Sequence, residues 1–477
     1  MSRYAYRSYK PEAGGSPDFF AKSIATLEGV SAIWFLERRH LINSKSPRMP
    51  PDTLHRLMGL YAEEAERCIR CGFCNSVCPT TLTSIGFKPS KTSRGRLVLL
   101  QSALQSGWPD PLSKNFKELI DLCIGCTRCV DVCPAGIPIP TVMSAYRAAY
   151  IGKRGVGSLD RPERVIANFE GFVRGLSRMN GWLRHLILTK PTLYLFKRLA
   201  GFADDALLPL PEGGVLDEVF RREALKSGLR VYAFFADTYA RYVRPSIAVS
   251  ARYLLNQAGI DLFLPPQRDS GILYWELGMW EKVKELARLN VESLHREAVK
   301  GRRIVCTSPA STMMLREVYP RILDEEKSRE VAESVVDINE LIHDFVHLGR
   351  ISADLSRERC VTHSTCLSQH LRLTSLIADT LETLNVNVDK VLLDCCGSGG
   401  LWGMLEKNRA LSREIGERLV RKLGTSGLVV SYSETCALQI SSLTGRRVEA
   451  KLPHEALYSW ILQPKARTPP ANISPAS

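Results

Sequence analysis

Apolar residues divide the chain into a helical first part and an α/β second part. Beyond residue 216, short apolar runs predict strands, and apolar residues at helical spacing predict helices between them. The strands are predicted at residues 229–235, 260–264, 303–306, 359–362, 391–393 and 427–432. The last three repeat the order of the first three after about 125 residues, which predicts two similar βαβ-type modules.

Helical periodicity dominates before residue 216. It predicts a helical arm around residues 19–41 and a helix that begins near Asp52 and leads to the first cysteines. Residues 171–203 combine basic and apolar side chains and contain no acid. Such a segment fits equally an anionic membrane surface or a linker that caps a core, and Pro191 interrupts its periodicity.

Two copies of one cysteine motif lie in the helical part. The motif C-x2-C-x2-C-x3-C-P is formed by Cys68, Cys71, Cys74, Cys78 and Pro79, and again by Cys123, Cys126, Cys129, Cys133 and Pro134. This is the bacterial ferredoxin spacing for [4Fe–4S] clusters, in which the fourth cysteine of each run ligates the other cluster. We therefore expect one cluster on Cys68, Cys71, Cys74 and Cys133, and a second on Cys123, Cys126, Cys129 and Cys78. Structural zinc is less favoured, because zinc motifs usually present C-x2-C pairs rather than runs of four.

The segment between the two runs is long. Its 44 residues exceed a compact ferredoxin hairpin and predict inserted helices, hence an α-helical ferredoxin. Arg94 and Arg96 in this segment are expected either to bind backbone carbonyl groups or to offset the charge of a cluster.

Composition indicates the cellular compartment of the protein and the charge of its partners. The 477 residues, 45% apolar and 24% charged, are typical of a globular protein with about two to four domains. Most of the 14 cysteines lie in motifs that need reduced thiols, and the N-terminus has no apolar signal core, so we expect a cytoplasmic protein. No run of 18 apolar residues predicts a membrane span. The net charge of +14 favours an anionic membrane face or an acidic partner, because no nucleic-acid-binding signature accompanies it.

A second set of cysteines lies at the predicted strand ends of the last module. It comprises Cys366, the Cys395–Cys396–Gly397 turn and Cys436. Adjacent cysteines in a glycine-rich turn can hold one polynuclear iron site, since glycine lets the backbone approach closely. The carboxyl ends of strands are also where α/β modules place ligands. Cys366, Cys395, Cys396 and Cys436 are therefore expected to form a third iron–sulfur site or a zinc site.

Together the motifs resemble a known family. The Cys366, Cys395–Cys396–Gly397 and Cys436 set is similar to the "CCG" cysteine-rich domain. Twin ferredoxin motifs before such domains resemble the iron–sulfur subunits of glycolate and lactate oxidases, of anaerobic glycerol-3-phosphate dehydrogenase and of heterodisulfide reductase. Members of that family carry electrons between a flavoprotein partner and a quinone, membrane or thiol acceptor.

The chain departs from the family pattern in both modules. Ser433 stands where the last motif should have the first cysteine of C-x-x-C, which leaves four thiols. In the first module the corresponding positions are Ala236–Asp237, Asp269–Ser270–Gly271 and Ser308–Pro309–Ala310–Ser311, without a cysteine. Cys306 and Cys360 are expected to be buried strand thiols.

The resemblance and the motifs imply a multidomain fold: an α-helical ferredoxin with two [4Fe–4S] clusters, followed by two α/β CCG repeats, the first without its cysteines. The expected boundaries are an N-terminal helical arm at 1–60, the ferredoxin at 61–150, a basic helical linker at 151–215, the first repeat at 216–330, the second at 331–465 and a tail at 466–477.

The expected function is electron transfer within a multi-subunit oxidoreductase. The donor would be an FAD-linked dehydrogenase of the 2-hydroxy acid or glycerol-3-phosphate type, with FAD only on that partner, and the acceptor a quinone or another carrier. No residue is expected to be catalytic, because the chain has no acid–base pair and no nucleotide-binding fingerprint. A heterodisulfide reductase-like thiol–disulfide reductase is the alternative. The cytoplasmic face of a membrane is the alternative location, and no nucleic-acid partner is expected.

Overall fold

The computed structural model describes residues 51–222, 225–424 and 427–462. These residues belong to one compact unit that begins at Pro50. The arm predicted around residues 19–41 and the tail at 466–477 lie outside the described residues.

The cysteine motifs are embedded in a helical region. Its helices are Pro51–Met58, Leu60–Glu66, Phe73–Val77, Ser93–Ser106, Lys114–Ile120, Arg128–Asp131 and Ile139–Arg154, with 3₁₀ turns at Ser84–Phe87, Pro89–Lys91 and Val156–Ser158. The inserted helix Ser93–Ser106 starts where the Thr92 side chain accepts a hydrogen bond from the Gly95 N–H. Leu97, Leu100 and Leu104 on this helix are buried.

A second helical group joins this region to the sheets. Its helices are Arg161–Ala167, Phe169–Arg178, Gly181–Ile187, Lys190–Ala200 and Leu216–Arg222. A capping box between Asp160 and Glu163 begins the first of them. Pro191 does end the periodicity, because it sits in the first turn of a new helix.

Two parallel four-stranded sheets complete the described fold. The first contains β1 (Arg230–Phe235), β2 (Ile260–Phe263), β3 (Ile304–Cys306) and β4 (Val335–Asp337), in the order β2-β1-β3-β4. The second contains β5 (Arg359–His363), β6 (Asn387–Leu392), β7 (Leu428–Ser431) and β8 (Glu449–Lys451), in the order β6-β5-β7-β8. The two sheets therefore have the same topology.

Helices flank both sheets. Around the first sheet they are Ser246–Gln257, Ile272–Leu277, Trp280–Ala298, Pro309–Met313, Tyr319–Leu323, Glu326–Ser334 and Ile338–His347, with π-turns at Tyr239–Val243 and Met314–Val318. Around the second sheet they are Cys366–His370, Leu373–Thr383, Glu406–Leu423, Glu434–Leu443 and Pro453–Leu462, with a 3₁₀ turn at Trp402–Met404. One apolar core joins the two modules, and it includes Leu254 and Leu341 from the first and Leu373 and Trp460 from the second.

The expected combination of a ferredoxin region with α/β domains is confirmed, but two strands were missed. β4 and β8 have three residues each, too few for a periodic pattern to stand out. β4 pairs with β3, so the first sheet extends past the boundary placed at residue 330. That boundary is wrong by at least one strand.

Candidate metal centres

The first group of cysteines surrounds a single cavity. Its sulfur-bearing residues are Cys68, Cys71, Cys74 and Cys133. Gly72, at φ 87°, turns the loop inside the cavity, and an added Cβ there would lie 3.1 Å from Arg94 Nη1. Three thiols from one run and the fourth from the other therefore face each other, an arrangement that fits an iron–sulfur cube.

Cys78 lies with the other run. Burial and the nearby Cys126, Cys123 and Cys78 thiolates raise the pKa of the Cys129 thiol well above its usual value. Burial, Cys395 and Cys78 do the same to the pKa of Cys126. These mutual influences place Cys123, Cys126, Cys129 and Cys78 near one another, as the predicted second group requires, with Cys74 of the first group also nearby. Four buried or half-buried thiols that crowd one another fit a cationic iron centre.

Arg96 binds a backbone carbonyl group and also contacts the sulfur of a cysteine. One guanidinium nitrogen is 3.1 Å from the Lys91 carbonyl oxygen, and the other is 3.4 Å from Cys78 Sγ. The Thr80 hydroxyl lies 3.1 Å from the same sulfur. Burial raises the pKa of Cys78, but Arg96 and Thr80 outweigh it and the pKa is lowered. Arg96 and Thr80 thus favour the thiolate form of Cys78 more than burial opposes it.

The third group lies at the carboxyl ends of β5, β6 and β7. Cys395, Cys396 and Cys436 are buried, and Cys396 Sγ is 3.1 Å from Cys436 Sγ. Backbone N–H groups point at the sulfurs, from Gly397 to Cys395 at 3.4 Å and from Ser398 to Cys396 at 3.5 Å. Burial raises the pKa of Cys366, and so do the neighbouring Cys126 and Cys395 thiolates. The four thiols predicted for a third site are therefore brought together.

Glycines let the helix Glu406–Leu423 press against the Cys395–Cys396 turn. Gly397 has φ 79°, and a Cβ on it would lie 2.2 Å from the Ser412 carbonyl oxygen. A Cβ on Gly416 would lie 2.5 Å from the Cys396 carbonyl oxygen. The turn has room for no larger residue at either position.

His363 is close to the third group but already has partners. Its Nδ1 lies 3.1 Å from the Ser431 hydroxyl and its Nε2 lies 3.0 Å from the Asp394 carbonyl oxygen. Burial lowers the pKa of His363 to about 4. The ring is therefore a neutral hydrogen-bonding support for the turn that precedes Cys395.

The second and third groups adjoin each other. Cys126 is near enough to Cys395 and Cys366 for their thiolates to influence one another's pKa. Ile124 packs on the glycine turn, where a Cβ on Gly399 would be 3.0 Å from Ile124 Cβ. Arg128 donates to the Leu393 carbonyl oxygen at 3.1 Å. The ferredoxin loop and the Cys395 turn are thus fastened to each other.

The first module has the same strand order as the second, but hydrogen-bonded side chains stand at its strand ends instead of thiols. Asp269 accepts from the Thr238 N–H at 2.9 Å, from the Thr238 hydroxyl at 2.7 Å and from the Gly271 N–H at 2.8 Å. Cys306 is fully buried in the strand, and so is Cys360 at 1% exposure. No thiol of this module lies at a position equivalent to the third group among the residues described.

A cavity beside the second group was not predicted. It has a volume of about 70 Å³ and is lined by Cys123, Arg147, Glu276, Trp402 and further charged and apolar side chains. Burial raises the pKa of Glu276 to about 8, although Arg147 opposes the shift. The sequence offers no signal for Glu276, because it is a single acid within an apolar helix of the first module.

Comparisons with known proteins agree with the thiol groups. A family model described as a 4Fe-4S dicluster domain matches residues 64–137. The presence of iron–sulfur clusters is thereby confirmed. The match spans both cysteine runs and the helices inserted between them.

Similarity extends far beyond that segment. The chain is 25% identical over 403 residues to the probable glycolate oxidase iron-sulfur subunit of Bacillus subtilis, covering 79% of this chain and 88% of the relative. It is 25% identical to a subunit of the anaerobic glycerol-3-phosphate dehydrogenase of Escherichia coli K12, covering 80% and 96%. It is 24% identical to a heterodisulfide reductase subunit of Methanosarcina acetivorans, covering 74% and 82%. The resemblance to this family of iron–sulfur subunits is confirmed. In the part of the chain that the structure describes, no helix has both the length and the apolar character needed to cross a bilayer.

Proposed function

We propose that the chain is the iron–sulfur electron-transfer subunit of a multi-subunit oxidoreductase. It would take electrons from an FAD-linked dehydrogenase and pass them to a quinone or another acceptor. The relatives named as glycolate oxidase and glycerol-3-phosphate dehydrogenase subunits support a donor that oxidises a 2-hydroxy acid or glycerol-3-phosphate. FAD would reside on that partner.

One observation supports this proposal: three groups of four thiols lie near one another, the first two linked by the backbone and the third beside the second. Cys78 and Cys133 each cross from one run to the group of the other, which links the first two groups through the backbone. Cys126 adjoins Cys366 and Cys395, which links the second group to the third. A structural role would not require thiol groups to be arranged as a continuous row.

Each group would hold a cluster through named residues. Cys68, Cys71, Cys74 and Cys133 would hold the first [4Fe–4S] cluster, and Cys123, Cys126, Cys129 and Cys78 the second. Cys366, Cys395, Cys396 and Cys436 would hold the third centre, an iron–sulfur cluster or zinc. Such clusters supply one-electron redox chemistry, and the protein tunes it through hydrogen bonds and burial. Arg96 and the N–H groups of Gly397 and Ser398 supply those hydrogen bonds here.

Metal content and reduction of the intact protein test the assignment. Anaerobically prepared protein should contain about twelve iron and twelve sulfide per chain if all three sites hold [4Fe–4S] clusters. Dithionite reduction should give paramagnetic signals that interact, because the second and third centres adjoin. Menadione should then reoxidise all of them. Centres that dithionite does not reduce, or reduced centres that menadione leaves reduced, would contradict an electron relay.

A thiol–disulfide reductase is the second candidate, supported by the similarity to a heterodisulfide reductase subunit. Against it, the first module has Thr238 and Asp269 where a second thiol site would be needed. Turnover of a disulfide substrate with reduced viologen dye distinguishes the two. We expect reduction of menadione and none of the disulfide.

We further propose that the helices Gly181–Ile187 and Lys190–Ala200 bring the subunit to an anionic membrane surface. Trp182 is 71% exposed, and Leu186, Leu195 and Leu199 are at least half exposed. Exposed Arg178, Lys190 and Arg198 accompany them, in a segment without any acid. Apolar side chains beside basic ones suit the boundary between lipid headgroups and acyl chains.

Vesicle sedimentation tests this surface. Binding to phosphatidylglycerol vesicles should exceed binding to phosphatidylcholine vesicles and weaken with salt. Replacing Trp182 and Leu195 by serine should weaken binding at least about tenfold, since both lose buried apolar area. Leu289→Ser is the control, because Leu289 is 51% exposed on the acid-containing helix Trp280–Ala298. Equal binding by all variants would contradict the surface.

A further inference from the structure

Three potential metal ligands meet between the two α/β modules, away from the cysteine groups. His343 and His347 are four residues apart on the helix Ile338–His347, which follows β4, so they share one face. Asp379 lies on the helix Leu373–Thr383, in the module of β5. Asp379 Oδ2 is 2.9 Å from His343 Nε2 and 2.6 Å from His347 Nε2. One ligand atom from each of the three lies within 4.8 Å of the others.

We propose that His343, His347 and Asp379 form a binding site for a divalent transition metal ion of the zinc class, which bridges the two modules. Two imidazole nitrogens and a carboxylate oxygen are ligands that zinc accepts, and three protein ligands leave a fourth position for water. The site is independent of the electron-transfer role and of the cysteine groups.

The surroundings favour a metal site over a simple hydrogen-bonded cluster. Both imidazoles direct Nε2 at the same carboxylate oxygen, and their rings are 4.5 Å apart. The other nitrogen of His343, Nδ1, lies 3.4 Å from Asp344 Oδ1. A carboxylate behind a metal-ligating histidine fixes its tautomer and orientation, and such partners are typical of zinc sites. The side chains of His347 and Asp379 are 43% and 49% exposed, so an ion can enter from solvent.

The chain offers a matched pair without a third ligand. His295 Nε2 lies against Glu330 Oε2 on the first module, and their side chains are 21% and 46% exposed. The exposure of His343 is also 21%. His295 and Glu330 belong to no group of three candidate ligands among the residues described. His295→Ala therefore removes a histidine–carboxylate contact of the same kind while leaving the proposed site intact.

A bound ion would fasten the modules together. The helix of His343 and His347 belongs to the first sheet and the helix of Asp379 to the second, and both contribute to the shared core. A ligand that binds only the folded state stabilises it in proportion to the logarithm of its concentration over its dissociation constant. Zinc should therefore raise the unfolding temperature of the whole protein.

Equilibrium dialysis of cluster-loaded protein against zinc sulfate, under anaerobic conditions, tests the proposal. Iron is measured in the same samples, so that zinc entering the cysteine groups is detected as iron loss. Wild-type protein should bind one zinc without losing iron. His343→Ala/His347→Ala should bind it at least about 100-fold more weakly, and Asp344→Asn about tenfold more weakly, by the usual effect of an outer carboxylate. His295→Ala should bind as wild type does.

Thermal unfolding with and without zinc supplies the second measurement. Zinc should raise the midpoint of wild-type and His295→Ala protein but not that of the double variant. Asp379→Asn provides a second variant if the double variant does not fold, and it should lose the zinc effect as well. Equal zinc binding by wild-type protein and by the variants that lack His343 and His347 or Asp379 would overturn the proposal. So would zinc uptake that occurs only as iron is released.

Discussion

The two α/β modules share one strand order and differ in what closes the ends of their strands. Thr238 and Cys366 are each the third residue after a central strand, β1 or β5, so the counterpart of Cys366 is Thr238 and not the predicted Ala236–Asp237. Gly271 and Gly397 have φ 81° and 79°, and each donates its N–H to the side chain two residues earlier. That side chain is the carboxylate of Asp269 in the first module and the thiol of Cys395 in the second.

The difference concerns how the polar groups at the strand ends are satisfied in each module. In the first module Asp269 accepts three hydrogen bonds from Thr238 and Gly271, so these three residues satisfy one another, and only the Ser270 hydroxyl between them is buried without a partner. In the second, crowded thiols have raised pKa values and only weak contacts with backbone N–H groups. The carboxylate of the first module is satisfied by protein groups alone, whereas the sulfurs of the second are the ligands of the proposed third centre.

Removing one sulfur from the second module should have the largest effect. Cys396→Ser should lower the iron content by about four atoms per chain, because serine is a poor ligand for iron–sulfur clusters. The matched change is Ser270→Ala in the first module, where the Ser270 hydroxyl is buried without a hydrogen-bond partner. It should leave iron unchanged. Loss of a single zinc from Cys396→Ser, with no change in iron, would identify the third centre as zinc.

A glycine substitution in each module should have the next largest effect. Gly397→Ala forces a Cβ to 2.2 Å from the Ser412 carbonyl oxygen, whereas a Cβ on Gly271 meets Leu286 Cδ1 at 3.4 Å and Val283 at 3.8 Å, which are ordinary contacts. Both suffer the left-handed backbone, about 1–2 kcal/mol, and overpacking adds about 1–3 kcal/mol for Gly397 alone. Urea unfolding of cluster-loaded protein measures both. Equal destabilisation would mean that the two turns are equally open.

The sequence was sufficient to predict which cysteines form candidate sites and where most strands lie, because both depend on local patterns. Ligand spacing within Cys68–Cys78 and Cys123–Cys133 is local, and apolar strands are recognisable residue by residue. The hydrogen bonds that Asp269 accepts from Thr238 and Gly271 could not be predicted from the sequence. Thr238 is 31 residues away from Asp269, and a threonine in a loop is as readily exposed to solvent. For the same reason Glu276 and the contact of Arg96 with Cys78 emerged only from the fold.

Disrupting the hydrogen bonds of Asp269 should lower the free energy of unfolding less than the Gly397→Ala substitution does. Asp269→Asn keeps the shape but removes the charge that accepts from Thr238 and Gly271, so we expect a loss of about 1–3 kcal/mol. The control is Asp389→Asn in the second module, which weakens an ion pair with the mostly exposed Arg359. Such pairs contribute about 0–1 kcal/mol. If the two variants unfold at the same urea concentration, Asp269 does not stabilise the first module.

The smallest effect concerns the helices that follow β4 and β8, and it depends on pH. Burial and the positive charge of Arg244 lower the pKa of His454, the second residue of its helix, to about 3, while the second residue of the corresponding helix in the first module is Asn339. In the unfolded chain a histidine has a pKa near 6.5, so as pH falls the unfolded state binds a proton before the folded state does. The contribution of His454 to the free energy of unfolding is therefore fully present well above pH 6.5 and decreases as the pH falls toward 3. Lowering the pH from 7.5 to 5.5 should therefore reduce the contribution of His454 to the free energy of unfolding by about 1.4 kcal/mol. His454→Asn should remove the part of the slope that His454 contributes, whatever its constant cost, and leave the similar part contributed by His363, whose pKa burial lowers to about 4. Exposed His185→Asn should leave the whole slope unchanged. The free energy of unfolding of cluster-loaded protein at both pH values decides between them, with iron retention checked in parallel. A slope in His454→Asn as steep as that of the wild-type protein would assign the pH dependence to other groups.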